Sequence, residues 1–343
     1  MQKFNIGVVG CGSMAQTWIE YARQRKDCEI KALVDLDLDQ ARKTKKEQEL
    51  SGADTFSDIN TMLKQHDLNL VFDITPPEAH YETVTKSLSA GCHVLGEKPM
   101  ASSMDEAREM VARAEKTGLT YAVMQNRRYN KNIRSLRHMI KEGIIGKPGL
   151  ISSDFFIGAH FEGFRTEMDS PLILDMAVHT FDQARFIMNS DPVSVYCQES
   201  NPPGSWYKGK AAASAIFEFD DGSIYTYSGS WCAEGAQTSW EADWRVNGSR
   251  GSLLWDGEKE PRAEIVISED EDKFINDFQT VTPEYKWQGQ NGHQGCLDEM
   301  FSGLKEGYRP ETDCRDNIKT MAMVFGALES SQQGKKINIE VNC

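Results

Sequence analysis

Up to residue 125, short apolar runs alternate with stretches whose apolar positions recur at helical spacing. The runs cover residues 4–9, 30–34, 68–74, 92–95 and 119–124, and the helical patterns cover 15–25, 40–50, 78–90 and 104–117. Near-continuous apolar strands separated by amphipathic helices predict a parallel sheet covered on both faces, a doubly wound α/β fold. Ser103 followed by Glu106 is a capping box for the last of these helices, and Gly118 ends it.

After residue 125 the rhythm changes. A helical pattern at 132–142 stops at Gly143, and another runs over 171–188. From 193 to 267 the chain reads as a string of short strands. Asp221-Gly222 separates two of them and Asn247-Gly248 follows a third. Both pairs are hairpin signals, so a large, mostly antiparallel open sheet is expected. Two helices (294–305 and 316–332) and a strand (337–341) close the chain. The expected division is a first domain over residues 1–125 and a second α/β domain over 126–343.

Composition narrows the field of functions. At roughly 150 residues per domain, a chain of 343 residues holds about two. Lys and Arg number 38 against 52 Asp and Glu, a net charge of −14 that argues against a nucleic-acid partner. No apolar run approaches the ~20 residues that span a bilayer, and no signal-peptide pattern precedes the first strand. The eight cysteines are scattered without a C-x-x-C pair, which reads as reduced thiols in a cytoplasmic protein. The seven histidines show no H-E-x-x-H pattern and no G-x-S-x-G elbow is present, so neither metal nor serine catalysis is expected.

Candidate chemistry begins with Gly10-Cys11-Gly12-Ser13-Met14-Ala15, between the first strand and the first helix. This fits the dinucleotide fingerprint G-x-G-x-x-G/A. Gly10 makes the tight turn, Gly12 admits a pyrophosphate to the backbone, and Ala15 allows close helix packing. A glycine-rich turn without a ligand is the plainer alternative. Asp35 ends the next strand, placed to accept hydrogen bonds from an adenosine ribose and to repel a 2′-phosphate, so NAD is expected over NADP. Two further segments, Thr75-Pro76-Pro77 and Gly96-Glu97-Lys98-Pro99, follow strands at the carboxyl ends where such sheets bind ligands. Lys98 there is either a proton-handling amine or a surface charge paired with Glu97. Asp175 and His179 stand at i and i+4 on a predicted helix, either an acid–base dyad or a histidine satisfied inside a core.

Taken in order, Gly10-x-Gly12-x-x-Ala15, Thr75-Pro76-Pro77-x-x-His80, Glu97-Lys98-Pro99, Asn126-Arg127-Arg128-Tyr129 and Asp175-x-x-x-His179 resemble the Gfo/Idh/MocA family of glucose–fructose oxidoreductase and inositol dehydrogenase relatives. The resemblance implies an N-terminal Rossmann domain, a C-terminal α/β domain whose large open sheet serves homodimer or homotetramer formation, and NAD(P)-dependent chemistry on a sugar, inositol or related polyol. It implies that Lys98 contacts substrate and cofactor, that His179 is the acid/base with Asp175 its companion, and that Thr75, Pro76 and Glu97 line the nicotinamide side. Arg127 and Arg128 match the arginines entering the second domain, Arg127 toward the cofactor and Arg128 toward the substrate, with packing as the alternative. A cis peptide before Pro99 is also implied. Ala177 stands where many members have glycine.

On the substrate side, His160 and Arg165 follow a strand and precede the dyad helix, which makes them candidate hydroxyl partners or ordinary loop charges. Trp206, Trp231, Trp240 and Trp244 stand at strand spacing and read as core or sheet-face residues more than as sugar platforms. The expected activity is an NAD-dependent dehydrogenase of a secondary hydroxyl. The alternatives are an NAD-dependent glycosidase with transient oxidation and a non-enzymatic NAD-sensing regulator. Retention of Lys98 with the Asp175–His179 pair argues against the last of these.

Overall fold

The computed structural model describes residues 3–267 and 273–341. Cys343, read above as a free thiol, lies outside the described residues. The chain divides into two compact units. One runs from the start of the chain through Asn126 and takes in His293–Met321 as well; the other comprises Arg127–Gly292 and Ala322–Val341.

In the first unit, strands and helices alternate strictly: β1 (Phe4–Val9), α1 (Ser13–Arg23), β2 (Cys28–Val34), α2 (Leu38–Glu47), β3 (Asp54–Phe56), α3 (Ile59–Gln65), β4 (Leu70–Asp73), α4 (Pro77–Ser89), β5 (His93–Gly96), α5 (Met104–Thr117) and β6 (Tyr121–Val123). Among the described residues these strands form one parallel sheet in the order β3-β2-β1-β4-β5-β6. The order reverses beside β1, the point at which such sheets open a ligand crevice at the strands' carboxyl ends. Buried Ile6, Val8, Leu33, Phe72 and Leu95 explain the apolar runs. The Ser103 half of the expected capping box is present, Ser103 Oγ accepting the Glu106 N–H at 3.2 Å, while the Glu106 carboxylate accepts from Ser102 N–H at 3.0 Å instead, and Gly118 closes α5 with φ +68°. β3 and α3 have no counterpart in the sequence reading, because a three-residue strand is too short to show a period.

The second unit carries α6 (Lys131–Lys141), β7 (Pro148–Phe156), α7 (Phe164–Glu167), a π-helical stretch Leu172–Ala177, α8 (Val178–Met188), then β8 (Pro192–Ser200), β9 (Ala212–Phe219), β10 (Ile224–Ser230), β11 (Asp243–Gly248), β12 (Gly251–Trp255), β13 (Arg262–Val266) and β14 (Phe278–Val281). With β15 (Ile337–Asn338) these strands make a sheet in the order β14-β13-β12-β11-β7-β10-β9-β8-β15. It is the expected mostly antiparallel sheet; β7 against β10 is parallel. Buried α8 lies on one face, where Phe181 meets Phe217 edge-on at 4.9 Å and Tyr227 at 5.2 Å. Asp221-Gly222 turns β9 into β10, with Gly222 at φ +83°. Asn247-Gly248 does not form the next turn: both residues are still paired in β11, and the reversal falls at Ser249-Arg250. Glycine is required at 248 for a different reason, since a Cβ there would lie 2.3 Å from the Ile145 carbonyl oxygen.

α9 (Gly292–Glu306) and α10 (Cys314–Gln333) complete the helices. The sequence division placed residues 294–305 with the second domain, whereas they belong to the first unit. Phe301 packs edge-on against Phe4 of β1 at 5.1 Å, Tyr21 donates to Asp298 at 2.7 Å, and Lys305 pairs with Asp27 at 2.5 Å. α9 thus covers a face of the parallel sheet that its own apolar residues Leu297, Met300 and Phe301 complete.

Candidate active site

The β1–α1 turn shows why small residues stand there. Gly10 adopts φ +89°, and a Cβ at that position would sit 2.3 Å from the Ile74 carbonyl oxygen. Beside Gly12 the opposite holds: no heavy atom lies within 4 Å of where a Cβ would be. Gly12 is the N-cap of α1 and supplies no side-chain cap, so the helix start at Ser13 and Met14 has no capping side chain, as suits an anion-binding helix N-terminus. Asp35 braces the turn, Oδ2 accepting the Cys11 N–H at 2.9 Å and Oδ1 the Asp37 N–H at 3.0 Å. Gln40 and Thr44 both donate to the Cys11 carbonyl oxygen, at 2.6 and 3.0 Å. The Cys11 thiol is buried, and burial together with Asp35 pushes its pKa up to about 12, so its backbone is what the turn uses. Open space, an uncapped helix start and a carboxylate after β2 fit a dinucleotide. Gly10→Ala is expected to destabilise the protein by about 2 kcal/mol or more, from left-handed strain plus the clash, as read by urea denaturation.

Thr75 and Pro76 follow β4, with Pro76 the N-cap of α4. Asp73 anchors this segment: Oδ1 accepts from the Thr75 hydroxyl at 2.6 Å and the Thr75 backbone N–H at 3.2 Å, and Oδ2 bonds His80 Nδ1 at 2.9 Å, with Asp73 and His80 fully buried. Burial alone would lower the His80 pKa, but Asp73 against the ring prevails and raises it. His80 therefore staples α4 to β4. After β5, Glu97 is not simply a partner for the lysine: its Oε1 accepts the Trp18 indole N–H at 2.8 Å and its Oε2 the Lys98 backbone N–H at 3.3 Å. The Lys98–Pro99 peptide is cis.

A residue that no motif singled out joins this group. His293, at the start of α9, has its Nδ1 3.3 Å from the Asn126 amide nitrogen and lies in the field of Glu97 and Lys98. Burial lowers its pKa; Glu97 opposes the shift and Lys98 adds to it. It stands 195 residues after Lys98 in the chain, so no spacing rule could have connected them.

In the second unit, Asp175 lies in the π-helical stretch and His179 in the first turn of α8. The sequence reading took both to be on one α-helix; the switch from π to α geometry falls between them. Such π turns are frequent at functional sites. The Asp175 carboxylate also has a partner that the i, i+4 pattern did not include, Arg165, whose Nε donates to Oδ2. The Arg165 guanidinium lies over the rings of Phe161 and Phe164, at 5.1 and 4.7 Å.

Arg127 and Arg128 part company. Arg128 is spent on Asp182, with Nε to Oδ2 at 2.6 Å and Nη2 to Oδ1 at 2.7 Å, both side chains nearly inaccessible. This geometry supports the packing alternative for Arg128, between the segment before α6 and α8. Arg127 donates to the Trp240 carbonyl oxygen, contacts Met176 Sδ at 3.7 Å and stands 3.9 Å from Glu241 Oε1. Burial lowers its pKa against the opposing pull of Glu241 and Tyr227. His160 stacks on Trp206 with ring centroids 3.7 Å apart and bonds Glu234 at 2.8 Å. Trp244 is a core residue stacked on Tyr225, as read from its spacing. Trp231 is likewise buried in the core, packed on Phe161, whereas Trp206 and the exposed Trp240 lie beside His160 and Phe161.

Residues 4–125 match the model of the GFO_IDH_MocA oxidoreductase family, NAD-binding Rossmann fold, and residues 133–254 match that of the GFO/IDH/MocA C-terminal domain. The chain belongs to the Gfo/Idh/MocA oxidoreductase family. Like its family, it is an oxidoreductase with an NAD-binding fold. It is 23% identical over 342 residues to a 1,5-anhydro-D-fructose reductase of Ensifer adhaerens, covering 97% of this chain and 98% of that one. It is 22% identical over 339 residues to the myo-inositol 2-dehydrogenase of Thermotoga maritima, covering 98% of each. An oxidoreductase of Agrobacterium radiobacter, solved with NAD+, L-tartaric acid and magnesium, shares the fold with a TM-score of 0.85 at 20% identity, over 98% of this chain and 99% of that one.

Proposed function

We propose that this Gfo/Idh/MocA member is an NAD-dependent dehydrogenase that oxidises a secondary hydroxyl of a sugar, inositol or related polyol. The observation that carries the reading is the buried His179 one turn beyond an Asp175 that is itself held by Arg165. Oxidising a carbinol releases a hydride and a proton. NAD, when bound, takes up the hydride. The His179 imidazole receives the hydroxyl proton, and the negative charge of Asp175 favours the imidazolium that results. The Lys98 ammonium holds and polarises the hydroxyl oxygen. Glu97, fixed by Trp18, sets the position of the Lys98 backbone, and His293 with Asn126 backs the same segment. The names of the reductase and dehydrogenase relatives support a sugar or cyclitol as substrate. Self-association through the second unit's sheet belongs to the same reading, supported by exposed Leu150, Tyr196 and Ile216 on its strands.

The test is NAD reduction by the purified protein over a panel of inositols, aldoses and simple glycosides. Turnover of at least one secondary alcohol is expected; binding of NAD without turnover of any would remove the dehydrogenase reading.

Asp35 supports NAD over NADP, since a carboxylate held at the end of β2 accepts from ribose hydroxyls and repels a 2′-phosphate. The expected kcat/KM is higher with NAD, and Asp35→Asn should shift the NADP-to-NAD ratio upward on the order of tenfold. Equal or better catalysis with NADP in the unmodified protein would sink this assignment.

A further inference from the structure

We infer that the substrate carries a second sugar ring: the second unit has an aromatic subsite for the neighbouring residue of a glycoside, and a free monosaccharide or cyclitol fills only part of the site. This rests on the dehydrogenase reading, in that Asp175 and His179 mark where oxidation occurs.

The subsite is built on the loop after β7 and is held from several directions. Ile157 N–H donates to the Ser230 carbonyl at 3.0 Å, and a Cβ on Gly158 would lie 2.7 Å from the Ala233 carbonyl oxygen. Trp206 Nε1 and Tyr207 Oη both donate to the Ala159 carbonyl oxygen, at 3.0 and 2.6 Å. On this frame Phe161 packs against Trp231 at 5.2 Å and Trp240 at 6.3 Å. The platform is thus preorganised.

Its base, Trp231, is buried in the core, while its outer rings stay open to solvent. Phe164 is 60% exposed and Trp240 45% exposed, although both belong to the ring cluster around Arg165 and Phe161. The link to the reacting group is a single side chain: Arg165 bonds Asp175 while its guanidinium covers Phe161 and Phe164. The platform therefore begins one guanidinium away from Asp175. At its rim stand His160 and Glu234, bonded to each other and exposed. A pyranose presents C–H groups on its faces and hydroxyls on its edge. Aromatic faces flanked by an imidazole, a carboxylate and a guanidinium match both, whereas a purely apolar occupant would leave the polar rim without a role.

The experiment compares one-ring and two-ring substrates that present the same ring. Methyl glucoside, methyl galactoside and methyl mannoside are assayed against cellobiose, lactose and mannobiose in the unmodified protein and in Phe164→Ala. The best disaccharide is expected to exceed its methyl glycoside in kcat/KM, through KM. Phe164→Ala is expected to lower that two-ring to one-ring ratio about tenfold, the scale of removing one ring face from a ligand. Equal kcat/KM for the paired substrates overturns the subsite, as does a ratio unchanged in the variant. Preference for a 4-nitrophenyl glycoside over every disaccharide overturns the second sugar as its occupant. If no sugar is oxidised the dehydrogenase reading fails by itself, and tryptophan fluorescence titration with the same pairs decides the subsite: tighter quenching by the disaccharide sustains it, and equal or absent quenching overturns it.

Discussion

Lys98→Ala and His179→Ala each lower kcat by about 10²-fold or more, the usual size of an acid–base contribution. The two losses are distinguishable. His179→Ala removes the group that takes the hydroxyl proton, so the acidic limb of the kcat profile against pH should vanish while NADH binding, followed by the fluorescence of NADH, is retained. Lys98→Ala removes a cation that positions the oxygen, so KM for the alcohol rises along with the fall in kcat. Near-normal turnover in either variant strips that residue of its role.

Arg128→Met should cost about 3–5 kcal/mol of stability, the scale for breaking a buried ion pair by removing one partner. Both bonds of the fork are short, and the side chains of Arg128 and Asp182 are only 5% and 2% exposed. The substitution leaves a buried carboxylate without its bidentate cation, against a total stability of roughly 5–15 kcal/mol for an ordinary domain. The double variant Arg128→Met/Asp182→Leu should recover most of the loss, because the cost lies in the orphaned charge more than in the missing contact. Urea denaturation of the single and double variants reads both. If Arg128→Met instead unfolds normally and only raises KM, the arginine serves the substrate, as its motif position first suggested.

Taken by itself, the sequence determined the elements with strong local periods. The apolar runs became β1, β2, β4, β5 and β6, the Ser103 cap and the Gly118 stop hold, and Asp221-Gly222 makes its hairpin. The glycine turn and Asp35 were equally legible, because their chemistry is local: a left-handed φ, a close approach, a carboxylate one strand away. Asn247-Gly248 shows the limit of the same logic. The pair satisfies a turn rule, yet the glycine is there to let Ile145 approach, and the turn moved two residues on.

Only tertiary structure decided which polar groups meet. Arg128 finds Asp182, Arg165 finds Asp175, and His293 reaches the lysine segment from the far end of the chain. Packing also turned tryptophans with one spacing into two kinds of residue. Trp231 and Trp244 are buried in the core, while Trp206 and Trp240 stand in more open positions beside the loop at His160 and Phe161. The physical reason is range. Hydrogen-bond registers, caps and turns depend on residues a few positions apart, so they leave a pattern in the chain. Charge pairing and ring packing depend on which surfaces a finished fold brings within a few ångströms, and that is set by the sum of all the elements.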